Sequence, residues 1–163
     1  MDGDPRTGVS FLVAIADRRC HRVSASRTLE SELLQIEKGE GSETILLVED
    51  DEAVRAVAQR SLARFGYDVV PVARGVDAVR IAKEFDGRIH LLLTDIMMPG
   101  MNGVEVASAI AKLRPGIHIF FMSGYADQDL VRQGLLEPGT HFLQKPFTPQ
   151  ELAERVRRII DGE

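Results

Sequence analysis

One cysteine, Cys20, stands alone in 163 residues, which excludes an internal disulfide framework and fits a reducing compartment. No apolar run approaches the roughly 20 residues that a membrane-spanning helix requires. The opening residues, MDGDPRTG, lack the basic start and apolar middle of a secretory signal. Basic charge is also short: 20 Lys and Arg face 25 Asp and Glu, a formal charge of -5. The chain therefore offers no broad positive field to a nucleic-acid backbone. These absences leave a cytoplasmic protein with no membrane span and no direct nucleic-acid role as the expectation. The 44% apolar and 28% charged residues are an ordinary globular balance, and the length suits one domain with a sizeable core rather than two.

The character of the chain changes at KGEGSET, residues 38 to 44, where glycines and a serine interrupt a charged segment. A boundary is expected there, with residues 1–43 as an N-terminal extension or linker, partly disordered, and residues 44–163 as the folded domain. Within the extension, VSFLVAIA reads as a strand candidate, and SRTLESELLQIEK as a helix candidate with Leu29, Leu33 and Ile36 on one face. Beyond the boundary, strand and helix patterns alternate. Strands are expected at 44–48, 67–72, 90–94, 117–122 and 141–144. Helices are expected over 51–66, 75–85, 102–114, 127–137 and 148–161. The first helix carries Val54, Val57, Ala58, Leu62 and Phe65 at helical spacing, and Thr148 with Glu151 forms a capping box for the last, with Pro149 in its first turn. The central strands are continuously apolar, as expected when helices cover both sheet faces. Right-handed crossovers then favour an α/β fold: a flavodoxin-like (βα)5 doubly wound parallel sheet in the order 2-1-3-4-5.

In such sheets the ligand site lies at the carboxyl ends of the strands. Strand 1 ends in VEDDE, strand 3 in TDIMMPG, strand 4 in MSGYA and strand 5 in QKPF. Strands 1 and 3 would lie about 4.8 Å apart, so Glu49, Asp50 and Asp95 converge. Carboxylates crowded together repel unless a cation neutralises them, and an all-oxygen set with positions left for water suits Mg²⁺. Lys145 and Ser123 add an ammonium and a hydroxyl that suit phosphoryl oxygens. Phosphoryl transfer works mainly by positioning and charge neutralisation, and a carboxylate can be its nucleophile. Asp95, at the centre of the cluster, is the candidate.

The segments ILLVEDDEAVR, LLLTDIMMPGMNG, FFMSGYAD and FLQKPF resemble, in order and spacing, the signature segments of two-component receiver domains, the phospho-acceptor modules of response regulators. The resemblance spans residues 44–162. It implies that Asp95 is phosphorylated from a histidine of a sensor histidine kinase or histidine phosphotransfer protein, and that a downstream protein partner reads the result. It implies Asp50 as a direct Mg²⁺ ligand, Glu49 acting through water, and the Met97 backbone carbonyl completing the metal site. It implies Ser123 as the switch hydroxyl, Lys145 as the phosphate contact and Phe142 as the aromatic switch residue. The Lys145–Pro146 bond matches one that is cis in the family, which would aim the ammonium into the site. Met97 and Tyr125 match positions flanking the path of the hydrolytic water, so their bulk is expected to slow loss of the phosphoryl group. Phe142, where tyrosine also occurs, gains burial on swinging inward but no hydroxyl hydrogen bond. No independent substrate turnover is expected beyond the domain's own phosphorylation and slow dephosphorylation. Homodimerisation stays open.

Blander roles account for other residues. Asp51 and Glu52 read as helix N-terminal acids, Met98 and Met101 as core filler, and Pro99 with Gly100 as turn formers. His21, His90, His118 and His141 lack metal-ligand spacing. Flavin binding is disfavoured by four acids where a phosphate loop would follow strand 1. An aspartate-nucleophile phosphatase wants a second acid where Met97 stands. With no effector segment expected after the last helix, the alternatives are a stand-alone regulator and the terminal receiver of a hybrid sensor histidine kinase. A faint similarity of TGVSFLVAIA to the last strand of a kinase ATP-binding domain supports the second.

Overall fold

Repeated punctuation of apolar runs by glycine, proline and acidic turns divides the chain into alternating strands and helices, and the computed structural model describes them over residues 42–162 except 126 and 135. In chain order they are β1 (Thr44–Val48), α1 (Glu52–Arg64), β2 (Asp68–Val72), α2 (Gly75–Glu84) and β3 (Leu91–Asp95). There follow α3 (Gly103–Leu113), β4 (His118–Ser123), α4 (Asp127–Arg132), β5 (Phe142–Gln144) and α5 (Pro149–Asp161). The readings made for residues 1–41 lie outside the described residues. All strand pairs are parallel, in the order β2-β1-β3-β4-β5.

Successive side chains of a strand point to opposite faces, so a strand covered on both sides must be apolar at every position. Leu46, Val48 and Leu92 pack into one core with Ala78 and Ala82 of α2 and Val106 and Ile110 of α3. Ile45, Leu47, Leu91 and Leu93 pack into the other with Ala58 and Leu62 of α1 and Leu152, Val156 and Ile159 of α5. Truncating any one of these buried leucines to alanine costs about 2–5 kcal/mol. Pro71 sits in β2, an edge strand, where one missing N–H breaks no ladder on the open side.

Three expectations need correction. The fourth helix ends at Arg132 rather than 137, because Gly134 takes a φ of 71° and the last N–H groups turn back onto Asp129 and Val131. Val57 is 49% exposed, since the buried stripe of α1 runs through Ala58, Ser61 and Leu62. At α5, Thr148 Oγ1 accepts from Glu151 N, but the reciprocal capping box is made at α3, by Asn102 and Glu105. Helix ends are also tied across the fold. Arg114, just past α3, donates its guanidinium to the carbonyls of Ala82, Phe85 and Gly87, acceptors left open at the end of α2.

The start of the domain is clamped to α5. Arg157 donates to Glu43 Oε1 at 3.0 Å and forks onto both oxygens of Asp161 at 2.7 and 2.9 Å. Burial pushes the Glu43 carboxyl up most strongly of any single cause, but the Arg157 hydrogen bond and charge together with backbone hydrogen bonds outweigh it and hold Glu43 below its ordinary value of 4.5. A depressed folded value stabilises the fold above pH 4.5, and that contribution is lost as pH falls through the folded value. The parent should therefore lose urea resistance more steeply than Glu43→Gln between about pH 5 and pH 3. Parallel curves across that window would remove the clamp's role.

Candidate functional site

The sheet register assembles the site. Val48 pairs with Thr94, so Glu49 and Asp50 leave β1 beside Asp95. Asp95 pairs with Met122, which sets Ser123 next to it, and Ser123 pairs with Gln144, so Lys145 follows at the same edge. Glu49, Asp95 and Ser123 are buried, Lys145 is half-buried, and Asp50 is exposed. The Lys145–Pro146 peptide is cis.

Lys145 Nζ lies 2.5 Å from Glu49 Oε2 and 3.1 Å from Asp95 Oδ2. Burial would push the ammonium down, yet the hydrogen bond and charge of Glu49, joined by Asp95, hold it above its ordinary value. Burial pushes Glu49 up, against the pull of Lys145 and with help from the nearby Asp95 charge. The direction for the pair is a firmly charged lysine beside a carboxylate that depends on it. One ligand oxygen from each of Glu49, Asp50 and Asp95 lies within 4.8 Å of the others. At an effective dielectric of 20, each like-charge pair near 4 Å costs about 4 kcal/mol. One ammonium leaves two of the three negative charges uncompensated. A divalent ion with oxygen ligands has the matching charge and donor preference, so these residues fit Mg²⁺.

Backbone placement supports the acid. The N-terminus of α3 runs so close to the end of β3 that a Cβ on Gly103 would fall 2.0 Å from the Asp95 carbonyl oxygen. Gly103 N donates to Ile96 O at 2.9 Å, and Thr94 Oγ1 donates to the Asp95 carbonyl at 3.0 Å. Met97 N donates to Asp95 Oδ1 at 3.4 Å, while Tyr125 N donates to Ser123 Oγ at 3.1 Å. The side chains of Met97 and Tyr125 are 52% and 55% exposed, one on the loop after β3 and the other after β4. Phe142 starts β5, half-buried against the core of α2 and α3, three residues before Lys145.

The turn after β1 is held as well. Asp51 caps α1, accepting from Ala53 N at 2.8 Å and Val54 N at 3.0 Å, and the Val54 bond leads in holding its carboxyl below the ordinary range. Arg55 Nη1 donates to the carbonyls of Glu49 and Asp50.

The structure thus brings together Glu49, Asp50, Asp95, Ser123 and Lys145, while Phe142 stands back from them. The blander assignments of Asp51, Met98 and Met101 agree with a cap and two core contacts. His90 also has a structural task, its Nδ1 accepting from Thr44 N at 3.0 Å. Three features escaped sequence reasoning: the Glu49–Lys145 contact, the Arg55 bonds and the Gly103 approach. The signal for the last was present, a glycine at the first position of a helix, where glycine brings no propensity advantage.

The family model described as "Response regulator receiver domain" matches residues 45–157. The chain is 37% identical over 121 residues to "Sensor kinase CckA" of Brucella abortus, covering 74% of this chain and 13% of that protein. It is 36% identical to "Uncharacterized transcriptional regulatory protein YbdJ" of Bacillus subtilis, covering 72% of this chain and 50% of that one. The chain therefore spans half or less of the length of these curated relatives. Among solved structures, the receiver domain from hybrid histidine kinase CckA superposes with a TM-score of 0.61 at 38% identity, covering 72% of this chain and 98% of that one. A CheY-like receiver protein from Methanospirillum hungatei gives 0.65 at 28% identity, covering 74% and 95%.

Gly103→Ala should lower unfolding free energy by about 3 kcal/mol, since backbone rather than a flexible side chain must yield. Gly124→Ala, with nothing within 4 Å of its added Cβ, should stay within about 0.5 kcal/mol of the parent. Urea denaturation compares them; equal effects would show that the close approach relaxes freely.

Proposed function

The chain belongs to the response regulator receiver domain family, and from that premise we propose that Asp95 accepts a phosphoryl group from a phosphohistidine of a partner protein. The observation that carries this reading is the meeting of Asp95 with Glu49 and Asp50 on one side and the Lys145 ammonium, 3.1 Å away, on the other. An oxygen of the Asp95 carboxylate attacks phosphorus. The new P–O bond forms as the P–N bond breaks, and the electron pair returns to the imidazole ring. Glu49, Asp50 and Asp95, with the Met97 carbonyl, would hold Mg²⁺. When bound, the ion neutralises charge on the phosphoryl oxygens. Lys145 orients the phosphoryl group by its ammonium and Ser123 by its hydroxyl.

The signalling step is a shift between two arrangements. Ser123 follows the new oxygens, Phe142 moves toward the space it leaves, and the surface of α4, β5 and α5 changes its preference for a downstream protein. Residues 44–163 form the receiver unit, with residues 1–43 as an extension. The donor is a sensor histidine kinase or a histidine phosphotransfer protein, and the setting is the cytoplasm; among the described residues no helix is long and apolar enough to cross a membrane. A second reading, that the unit is the terminal receiver of a hybrid sensor histidine kinase, is favoured by its similarity to CckA in both sequence and structure.

Intact-mass measurement after exposure to acetyl phosphate and Mg²⁺ tests the acceptor. The parent gains one phosphoryl group and Asp95→Asn gains none; equal labelling would move the acceptor elsewhere. Replacing Met97 and Tyr125 together by serine opens the site to water and should shorten the phosphate lifetime about tenfold, equivalent to ~1.4 kcal/mol of barrier. Decay at the parental rate would deny these side chains a shielding role.

A further inference from the structure

Asp50 differs from the other acids of the cluster. Glu49 is buried and bonded to Lys145, and Asp95 is buried and bonded to Lys145 and the Met97 N–H, whereas Asp50 is exposed. Among the described residues no hydrogen bond reaches the Asp50 carboxylate. Neither packing nor a side-chain partner therefore fixes where it points. The backbone of the turn from Glu49 to Asp51 must do so.

That turn is held from two sides. On one side, Asp51 N donates to Glu49 Oε1 at 3.3 Å, and the Asp51 carboxylate is engaged by the first N–H groups of α1. On the other, Arg55 reaches back from the first turn of α1. Its Nη1 donates to Glu49 O at 2.7 Å and to Asp50 O at 3.2 Å, and the helix that carries it is tied to the turn by Arg55 N donating to Asp51 O at 2.9 Å. Two consecutive carbonyls that face one donor nitrogen fix the orientation of the peptide planes on both sides of Asp50. An arginine also brings a positive charge next to an acidic cluster. By charge alone it would weaken a cation's binding there; by geometry it would strengthen it. These effects have opposite signs.

We propose that Arg55 is a positioning residue for the divalent-cation site, holding the Glu49 and Asp50 carbonyls so that the Asp50 carboxylate stands ready beside Glu49 and Asp95. The proposal rests on the Mg²⁺ reading given above for its consequence, but not for its structural claim. Outer groups that orient a metal ligand are commonly worth ten- to a hundredfold in affinity, which exceeds the effect of one partly solvated charge at moderate ionic strength. Positioning therefore wins. Arg55→Met, which keeps an apolar stem and loses charge and donors, binds Mg²⁺ about tenfold more weakly. Arg55→Lys keeps the charge on a compact, strongly hydrated ammonium and shifts affinity in the same direction.

The test titrates unphosphorylated parent, Arg55→Met and Arg55→Lys with MgCl₂ by calorimetry, after melting curves in EDTA establish that each is folded. Weaker binding by both variants is the expected result. Binding by Arg55→Met that equals or exceeds the parent's would overturn the proposal, because it would leave only the repulsive charge. A metal-free measurement separates this idea from the Mg²⁺ reading. In EDTA, amide hydrogen exchange over residues 49–51 should run about tenfold faster in Arg55→Met than in the parent, as the turn loses its clasp. Unchanged exchange would overturn the positioning role. Faster exchange in a protein whose parent binds no Mg²⁺ would support the clasp and refute the Mg²⁺ reading instead.

Discussion

The contact between the Lys145 ammonium and the two buried carboxylates is the interaction on which the site depends. Glu49 is 1% exposed, a position where an unpaired carboxylate would take up a proton rather than remain charged. Lys145 lies 2.5 Å from it and reaches Asp95 at 3.1 Å. Removing one partner of a buried pair typically costs about 3–5 kcal/mol, because the other charge is stranded. The contact joins residues 96 positions apart, and it pins β5 to β1 across the two strands between them. A short edge strand such as β5, with three residues in its ladder, gains little holding from backbone bonds alone. The charged bridge compensates, so electrostatics of the site and closure of the sheet edge are one feature.

The parallel sheet explains why these groups meet at all. In a parallel ladder every strand ends at the same edge, so residues that follow the last paired positions become neighbours whatever their distance in sequence. Val48 with Thr94, Asp95 with Met122, and Ser123 with Gln144 are such end pairs. Each site residue lies at or one position past them. A slip of one residue would turn Asp95 to the other face of the sheet, but Leu91, Leu92 and Leu93 are fully buried on alternating sides and resist it. The apolar cores thus set the register that sets the site.

This coupling is why so much was legible in the sequence. Continuous apolar strands and helical spacing specify a two-sided sheet, and strand-end acids, serine and lysine are recognisable once the sheet order follows from handedness. What was not legible depends on three-dimensional reach. The length of α4 depended on Gly134 adopting a left-handed backbone, and a glycine in an apolar-patterned helix does not announce that choice. Val57 fell outside the stripe because the width of the buried face depends on how α1 sits over the sheet, not on spacing alone. Lys145 was expected as a phosphate contact, while its shortest contact in the structure goes to Glu49 and a longer one to Asp95. Arg55 carries no signal of its role in the sequence, since its acceptors are the carbonyls of Glu49 and Asp50, which sequence does not distinguish.

A phosphoryl group on Asp95 would replace the single carboxylate charge with a group of roughly -1.5 to -2, three acceptor oxygens and a new competitor for Lys145. Turning a two-state equilibrium from 1:99 to 99:1 takes about 5.5 kcal/mol of differential interaction. One ammonium near 4 Å supplies about 4 kcal/mol per unit charge at an effective dielectric of 20, and part of that is already present, because Lys145 bonds Asp95 before any modification. The lysine therefore cannot drive the change alone. Ser123 differs: its Oγ accepts from Tyr125 N, and among the described residues its own proton has no acceptor, so it would be available to a phosphoryl oxygen. A hydrogen bond to a charged group is worth about 1.5–3 kcal/mol, and it exists only in the modified state. On the phospho-acceptor reading proposed above, the buried hydroxyl at the end of β4 would supply the difference between holding a phosphoryl group and responding to it.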